Sequence, residues 1–187
     1  MATQKIIHYK IMVSTVFPAG HPRKGQRTYF IPRIEEALGI IARCHPGECI
    51  QQFTSCNGCY FKLPEEQIFP KLHTIRNNYP LWVKRMKKVH AGKAVIYLCY
   101  WKLPGGRFTP GNEAIPFAAL DKDSGCGVQE LRWLTTCTAQ IRDNAQLVND
   151  IQLAKNDGIS VEDFKAWFKG YDLSNSMAII QFTTFRY

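Results

Sequence analysis

None of the 187 residues belongs to an apolar run approaching the roughly 18 residues that a membrane-spanning helix needs. A membrane role is therefore not expected. The opening stretch, MATQKIIHYK, lacks a continuous apolar segment behind a basic one, so it does not read as a secretory leader, and a cytoplasmic location is expected. No internal repeat and no low-complexity tract is visible. Acidic residues are missing altogether from Lys71 to Arg107, where nine basic residues stand (Lys71, Arg76, Lys84, Arg85, Lys87, Lys88, Lys93, Lys102 and Arg107). The remaining 15 basic and 15 acidic residues cancel, so this one segment carries the whole net charge of +9. It is also rich in aromatic and aliphatic side chains, which a disordered basic arm would lack. A folded, positively charged face is the expected result.

What is present suits one packed domain spanning residues 1–187, since 45% of the chain is hydrophobic. Residues 5–17 (KIIHYKIMVSTVF) read as an opening strand that ends in a loop containing Pro18, Gly20, Pro22 and Gly25. Residues 31–43 place Ile34, Leu38 and Ile41 at helical spacing. A short strand is expected at 72–76, a basic helix at 80–90 and a buried strand at 95–103, the last followed by a Pro104-Gly105-Gly106 turn. Further strands are expected at 115–120, 128–134 and 177–185, with helix at 144–155. Ser160 and Asp163 ahead of Phe164, Trp167 and Phe168 predict a capped amphipathic helix ending near Gly170. Short strands, few helices and no βαβ alternation favour an α+β fold built on a mixed or antiparallel barrel.

The chemistry concentrates in Lys71-Leu72-His73-Thr74-Ile75-Arg76. An offset of two puts Thr74 and Arg76 on one face of a strand. Lys71, three residues before Thr74, joins them only if the chain turns before the strand. Gathered so, the three would offer an amine, a hydroxyl and a guanidinium. Arg76 and burial would both disfavour the charged amine, making Lys71 a usable base near neutral pH and giving Thr74 an activating partner. The alternative is a strand with a solvated Lys and Arg and an incidental Thr.

The pattern Lys71-x-x-Thr74-x-Arg76 resembles the motif of the ASCH family, whose domains share the PUA-like β-barrel fold and are linked to RNA binding or coactivator function. In small bacterial members that act as amidohydrolases on N4-acetylcytidine, the motif Lys and Thr are catalytic together with a Glu before the last helix. The resemblance implies Lys71 as activating base, Thr74 as nucleophile and Arg76 as a substrate or oxyanion contact, with His73 inside the same motif. The position of the acid falls near Asp157, in Asn156-Asp157-Gly158-Ile159-Ser160, where this chain has the shorter aspartate. A turn residue beside Gly158 is the other reading of Asp157.

The chain is longer than those small enzymes, and the excess includes residues 20–70, with a cysteine-rich insertion at about 39–70. Its Gly20-His21-Pro22-Arg23 would place His21 and Arg23 at the barrel mouth, or else form a solvated turn with His21 packed by Pro22. Cys44, Cys49, Cys56 and Cys59, with His45 beside them, are candidate ligands for a structural Zn²⁺, although only Cys56 and Cys59 have knuckle spacing. Reduced structural thiols are the alternative, and no cofactor is required by the other motifs.

Three functional classes remain. The first is a module binding RNA, single-stranded nucleic acid or a modified nucleotide, with Lys84, Arg85, Lys87 and Lys88 supplying charge. In that class Trp82, Tyr79, Tyr97, Tyr100 and Trp101 offer stacking surfaces. The second is an amidohydrolase acting on N4-acylated cytidine-type nucleosides through Lys71, Thr74 and Asp157. The third is a protein-interaction module that uses the cysteine-rich insertion.

Overall fold

The computed structural model describes residues 5–40, 69–103 and 106–187. The four clustered cysteines and two residues of the Pro-Gly-Gly turn lie outside them.

The fold is α+β, and the described residues form two sheets and four α-helices. In the first sheet β1 (Ile7–Met12) runs parallel to β3 (Ala94–Trp101), which pairs antiparallel with β4 (Ala114–Leu120). The second sheet is antiparallel throughout, in the order β2 (His73–Asn77), β8 (Met177–Gln181), β5 (Gly127–Trp133), β6 (Thr138–Ile141), β7 (Gln146–Asn149). Among the described strands no pairing joins the two sheets, so the expected closed barrel is replaced by two separate sheets.

Helix α2 (Tyr79–His90) fills the space between them. Trp82, Met86 and Val89 recur at helical spacing and are its buried residues. It packs against β3 of one sheet and against β5 and β8 of the other. Its start is fixed by Asn78, whose side chain accepts a hydrogen bond from the Leu81 amide at 3.2 Å, and by Pro80 in the first turn. Helix α1 (Phe30–Ala37) buries Phe30 and Ile34. The core runs from these through Ile96, Leu98 and Leu120 to Leu131, Ile141, Phe164 and Ile179, all essentially inaccessible.

The expected helix at 144–155 begins later. Asn149 and Gln152 form a reciprocal capping box, with the Gln152 amide donating to Asn149 Oδ1 at 2.8 Å and the Asn149 amide donating to Gln152 Oε1 at 3.2 Å. These bonds start helix α3 at Asp150 (Asp150–Asn156). The residues before it form β7, which turns back on the unforeseen β6 through Ala145 at φ 58°. Helix α4 (Val161–Phe168) begins as expected, with Ser160 Oγ accepting from the Asp163 amide at 3.1 Å.

Candidate functional site

A cavity of about 300 Å³ opens where β1, β2, α2 and the ends of α3 and α4 converge. Lys71, Thr74, Arg76 and Asp157 all line it, together with the aromatic walls Phe30, Trp82, Trp167, Phe168 and Tyr171. Residues 71 and 72 precede β2 and are pinned by three elements. The Lys71 amide donates to the Arg33 carbonyl of α1 at 3.1 Å, the Leu72 amide to the Asn156 carbonyl of α3 at 2.8 Å, and the Leu72 carbonyl accepts from the Phe182 amide at 3.0 Å. Residues 69–72 carry no turn or bend, so the turn expected before Thr74 is replaced by an irregular lead-in held by these bonds. It brings Lys71 to the cavity lined by Thr74 and Arg76.

Lys71 is only 3% exposed and Asp157 only 7%. The Lys71 Nζ donates to Asp157 Oδ1 in a short, direct ion pair and to the Asp157 carbonyl at 3.0 Å. It also lies 4.1 Å from the centroid of the Phe30 ring. Burial pushes the Lys71 pKa down to about 8; Arg76 and Arg33 add to that, while Asp157 opposes it. Burial raises the Asp157 pKa, opposed by Lys71 and then Arg76. Each partner therefore holds the other charged in a place that favours neither charge.

Asp157 is the C-cap residue of α3, and Gly158 follows in the left-handed region at φ 73°. A Cβ at Gly158 would stand 3.1 Å from Lys71 Cβ and 3.3 Å from Arg33 Cδ. The end of α3 thus approaches residue 71 closely enough for an aspartate to reach the amine.

Among the described residues, no hydrogen bond joins Lys71 to the Thr74 hydroxyl; the amine is committed to Asp157 and the Phe30 ring. Arg76 donates to the Met12 carbonyl at 2.8 Å and to the Ile75 carbonyl at 3.3 Å, and burial is the main cause lowering its pKa. His73 faces away from the cavity. Its Nδ1 is 3.3 Å from the Tyr187 hydroxyl, and its Nε2 lies 3.9 Å from Asp157 Oδ1 with no hydrogen-bond partner. Burial, then the charge of Lys71, holds the His73 pKa well below the usual value.

His21 and Arg23 are not among the cavity-lining residues. The His21 ring stacks on Phe17 at 4.3 Å, its Nδ1 accepts from the Arg23 amide at 3.0 Å, and its Nε2 donates to the Asp163 carbonyl at 3.1 Å. These contacts fit one neutral tautomer. Arg23 Nη1 pairs with Asp163 Oδ2 at 2.6 Å. The loop thereby clasps the first turn of α4, the helix that carries Trp167 to the cavity. Substituting His21 by Ala is expected to cost about 2–3 kcal/mol, from a lost buried ring and a lost hydrogen bond. Urea denaturation checks the loss, and a red shift of tryptophan emission would report Trp167 loosening; unchanged stability would show that the clasp is dispensable.

On α2, Lys84, Lys87 and Lys88 are exposed, whereas Trp82 is buried against the cavity and Arg85 stacks on it at 4.6 Å. Tyr79, Tyr97, Tyr100 and Trp101 do not line the cavity. Cys44, Cys49, Cys56 and Cys59 lie outside the described residues. Sequence reading missed Phe30, Trp167, Phe168 and Tyr171 as walls. Trp167 and Phe168 stood on the apolar face of an expected helix while Phe30 and Tyr171 lay just outside the expected helices, and only the convergence of α1 and α4 on residue 71 turns these side chains toward a void. No protein-family model, curated protein or solved structure matches this chain.

Proposed function

We propose that this chain is an ASCH-type, PUA-like domain protein that holds a nucleotide, free or within single-stranded RNA, with its base in the aromatic cavity. The observation that carries this reading is the composition of the cavity. Apolar aromatic walls surround a few polar groups (Lys71, Asp157, Thr74 and Arg76) able to read the edge of a base. Its volume of about 300 Å³ suits one small ligand rather than a groove for a peptide. The exposed Lys84, Lys87 and Lys88 on the adjoining helix supply attraction for a phosphate backbone. The arrangement of two sheets around α2 is read as an open variant of the PUA-like barrel.

A second reading, amidohydrolase action on N4-acylated cytidine, is favoured by one specific feature: the buried amine of Lys71, with its pKa near 8, in direct contact with Asp157. In that reading Lys71, in the neutral form that a pKa of about 8 makes accessible, takes the Thr74 hydroxyl proton as Thr74 attacks the acyl carbon, and the resulting ammonium delivers it to the departing amine before water releases the acyl group from Thr74 as the free acid.

Incubation with N4-acetylcytidine separates the two. Release of cytidine that is lost in both Lys71→Ala and Thr74→Ala supports the hydrolase. Binding without turnover supports the binding module. For short single-stranded RNA, log K should fall linearly with log salt, and replacing Lys84, Lys87 and Lys88 by Gln should flatten the slope by about 0.7 for each phosphate contact removed. Salt-independent binding would remove the backbone role of α2.

A further inference from the structure

Helix α2 carries an arrangement of cations that its own stability does not favour. Lys84 faces Lys87 and Lys88 at offsets of three and four, and Arg85 faces Lys88 at an offset of three, with no acid on the helix. Like charges at those spacings cost a few tenths of a kcal/mol each. Arg85 is the unusual member. It is half-buried, its guanidinium carbon lies 4.6 Å from the Trp82 ring and 5.0 Å from the Tyr9 ring, and its Nε is buried with no hydrogen-bond partner. None of the ion pairs among the described residues includes it. A half-buried guanidinium lying over two aromatic rings, with no carboxylate partner among the described residues, has its terminal nitrogens free for a planar contact with an anion.

Its location decides which anion. Arg85 rests on Trp82, and Trp82 is a wall of the cavity. Arg85 does not itself line the cavity; standing on the Trp82 wall, it is placed for a group that extends beyond a base held inside, and in a nucleotide that group is the phosphate attached to the sugar. We propose that Arg85, with Lys88 one turn further on, forms a phosphate subsite at the rim of the cavity. The chain would then select a phosphorylated nucleotide over a free nucleoside. This rests on the nucleotide reading above and adds to it the phosphate as a recognised group, either a terminal monoester or the diester of a strand.

The test titrates the intact chain with cytidine, cytidine 5′-monophosphate, cytidine 3′-monophosphate and a five-residue oligocytidylate, following tryptophan fluorescence. The wild type is expected to bind at least one phosphorylated probe about tenfold more tightly than cytidine, as a charged hydrogen-bonded contact would give. Arg85→Met, which keeps the stacked aliphatic stem, is expected to abolish that preference while leaving cytidine affinity unchanged; Arg85→Lys is expected to retain part of it. A preference for the monophosphates assigns a terminal phosphate, and a preference for the oligomer alone assigns the diester. Equal affinity of the wild type for cytidine and every phosphorylated probe overturns the subsite while leaving the base cavity standing. The same holds for a preference that survives in a folded Arg85→Met. Failure to bind any probe overturns both.

Discussion

Replacing Lys71 by Met is expected to destabilise the chain by up to about 4 kcal/mol at pH 7 and to abolish ligand binding and any turnover. The substitution leaves Asp157 buried and unpaired, and removing one partner of a buried pair commonly costs about 3–5 kcal/mol. The cost has a ceiling, because Asp157 can take up a proton. Holding neutral a carboxyl whose ordinary pKa is 3.8 costs about 1.4 kcal/mol per pH unit above that value, which gives about 4 kcal/mol at pH 7. In the variant, the folded state binds this proton more tightly than the unfolded chain, so stability is gained below pH 3.8 and lost as pH rises from there toward the raised folded pKa. The gap between variant and wild type should therefore shrink as pH falls from 7 toward 4. Adding Asp157→Asn should recover much of the loss. At the alkaline end the sign reverses. Lys71 has a folded pKa of about 8 against an ordinary 10.5, so the unfolded chain holds the extra proton between those values and wild-type stability gains a rising contribution over that window. Urea denaturation across pH checks both limbs. A variant as stable as wild type at pH 7, or an alkaline rise that persists without Lys71, would show that the pair is not buried as described.

Much of the site was legible because it is short-range. The offset of two that sets Thr74 and Arg76 on one face is a property of any strand, whereas the turn expected before Thr74 is not formed and an irregular lead-in brings Lys71 to the cavity instead. The elements built on strong local signals also appear where expected: the capped helix at Val161–Phe168, the basic helix at Tyr79–His90 and the apolar strand at Ala94–Trp101. What was not legible depends on partners distant in sequence. The parallel pairing of β1 with β3 joins residues separated by α1, β2 and α2, and no local pattern announces it. The hairpin of β6 and β7 hides in polar residues. Gln146 and Leu147 are exposed, leaving Val148 as the only buried residue of β7, too little alternation to outweigh the helical appearance of the sequence that follows. His21 illustrates the same limit for a side chain. Its sequence neighbours Pro22 and Arg23 suggested a loop facing solvent, whereas its partner is the carbonyl of Asp163, far along the chain.

The acid-free segment from Lys71 to Arg107 also separates into parts with different physics. Lys71 is buried and paired, Arg76 is tied to the carbonyl of Met12, Arg85 is stacked on aromatic rings, and Lys84, Lys87 and Lys88 are solvated. Lys93, Lys102 and Arg107 are exposed as well, so six of the nine basic residues behave as the surface charge that composition suggested. The other three are held at or beside the cavity, where low dielectric strengthens their pull on a ligand.

Gly158→Ala is expected to disable the site without altering the chemistry of any of its polar side chains. Asp157 reaches the Lys71 amine because the backbone at the end of α3 stands close to residue 71. The end of α3 comes so close to residue 71 that an added Cβ would be 3.4 Å from Lys71 Cα as well as 3.1 Å from its Cβ. The left-handed φ of 73° alone costs a non-glycine residue roughly 1–2 kcal/mol. The contacts then force α3 away from residue 71 by a few tenths of an ångström, against the hydrogen bond from the Leu72 amide to the Asn156 carbonyl. Gly111 provides the control, since it has φ 70° and nothing within 4 Å of its added Cβ. Gly111→Ala should lose only the backbone contribution and keep ligand affinity, whereas Gly158→Ala should lose more stability and at least about tenfold in affinity, as displacement of a positioned charged group would cause. Equal stability losses in the two variants, with affinity intact in both, would mean that the close approach of α3 is not what delivers Asp157 to Lys71.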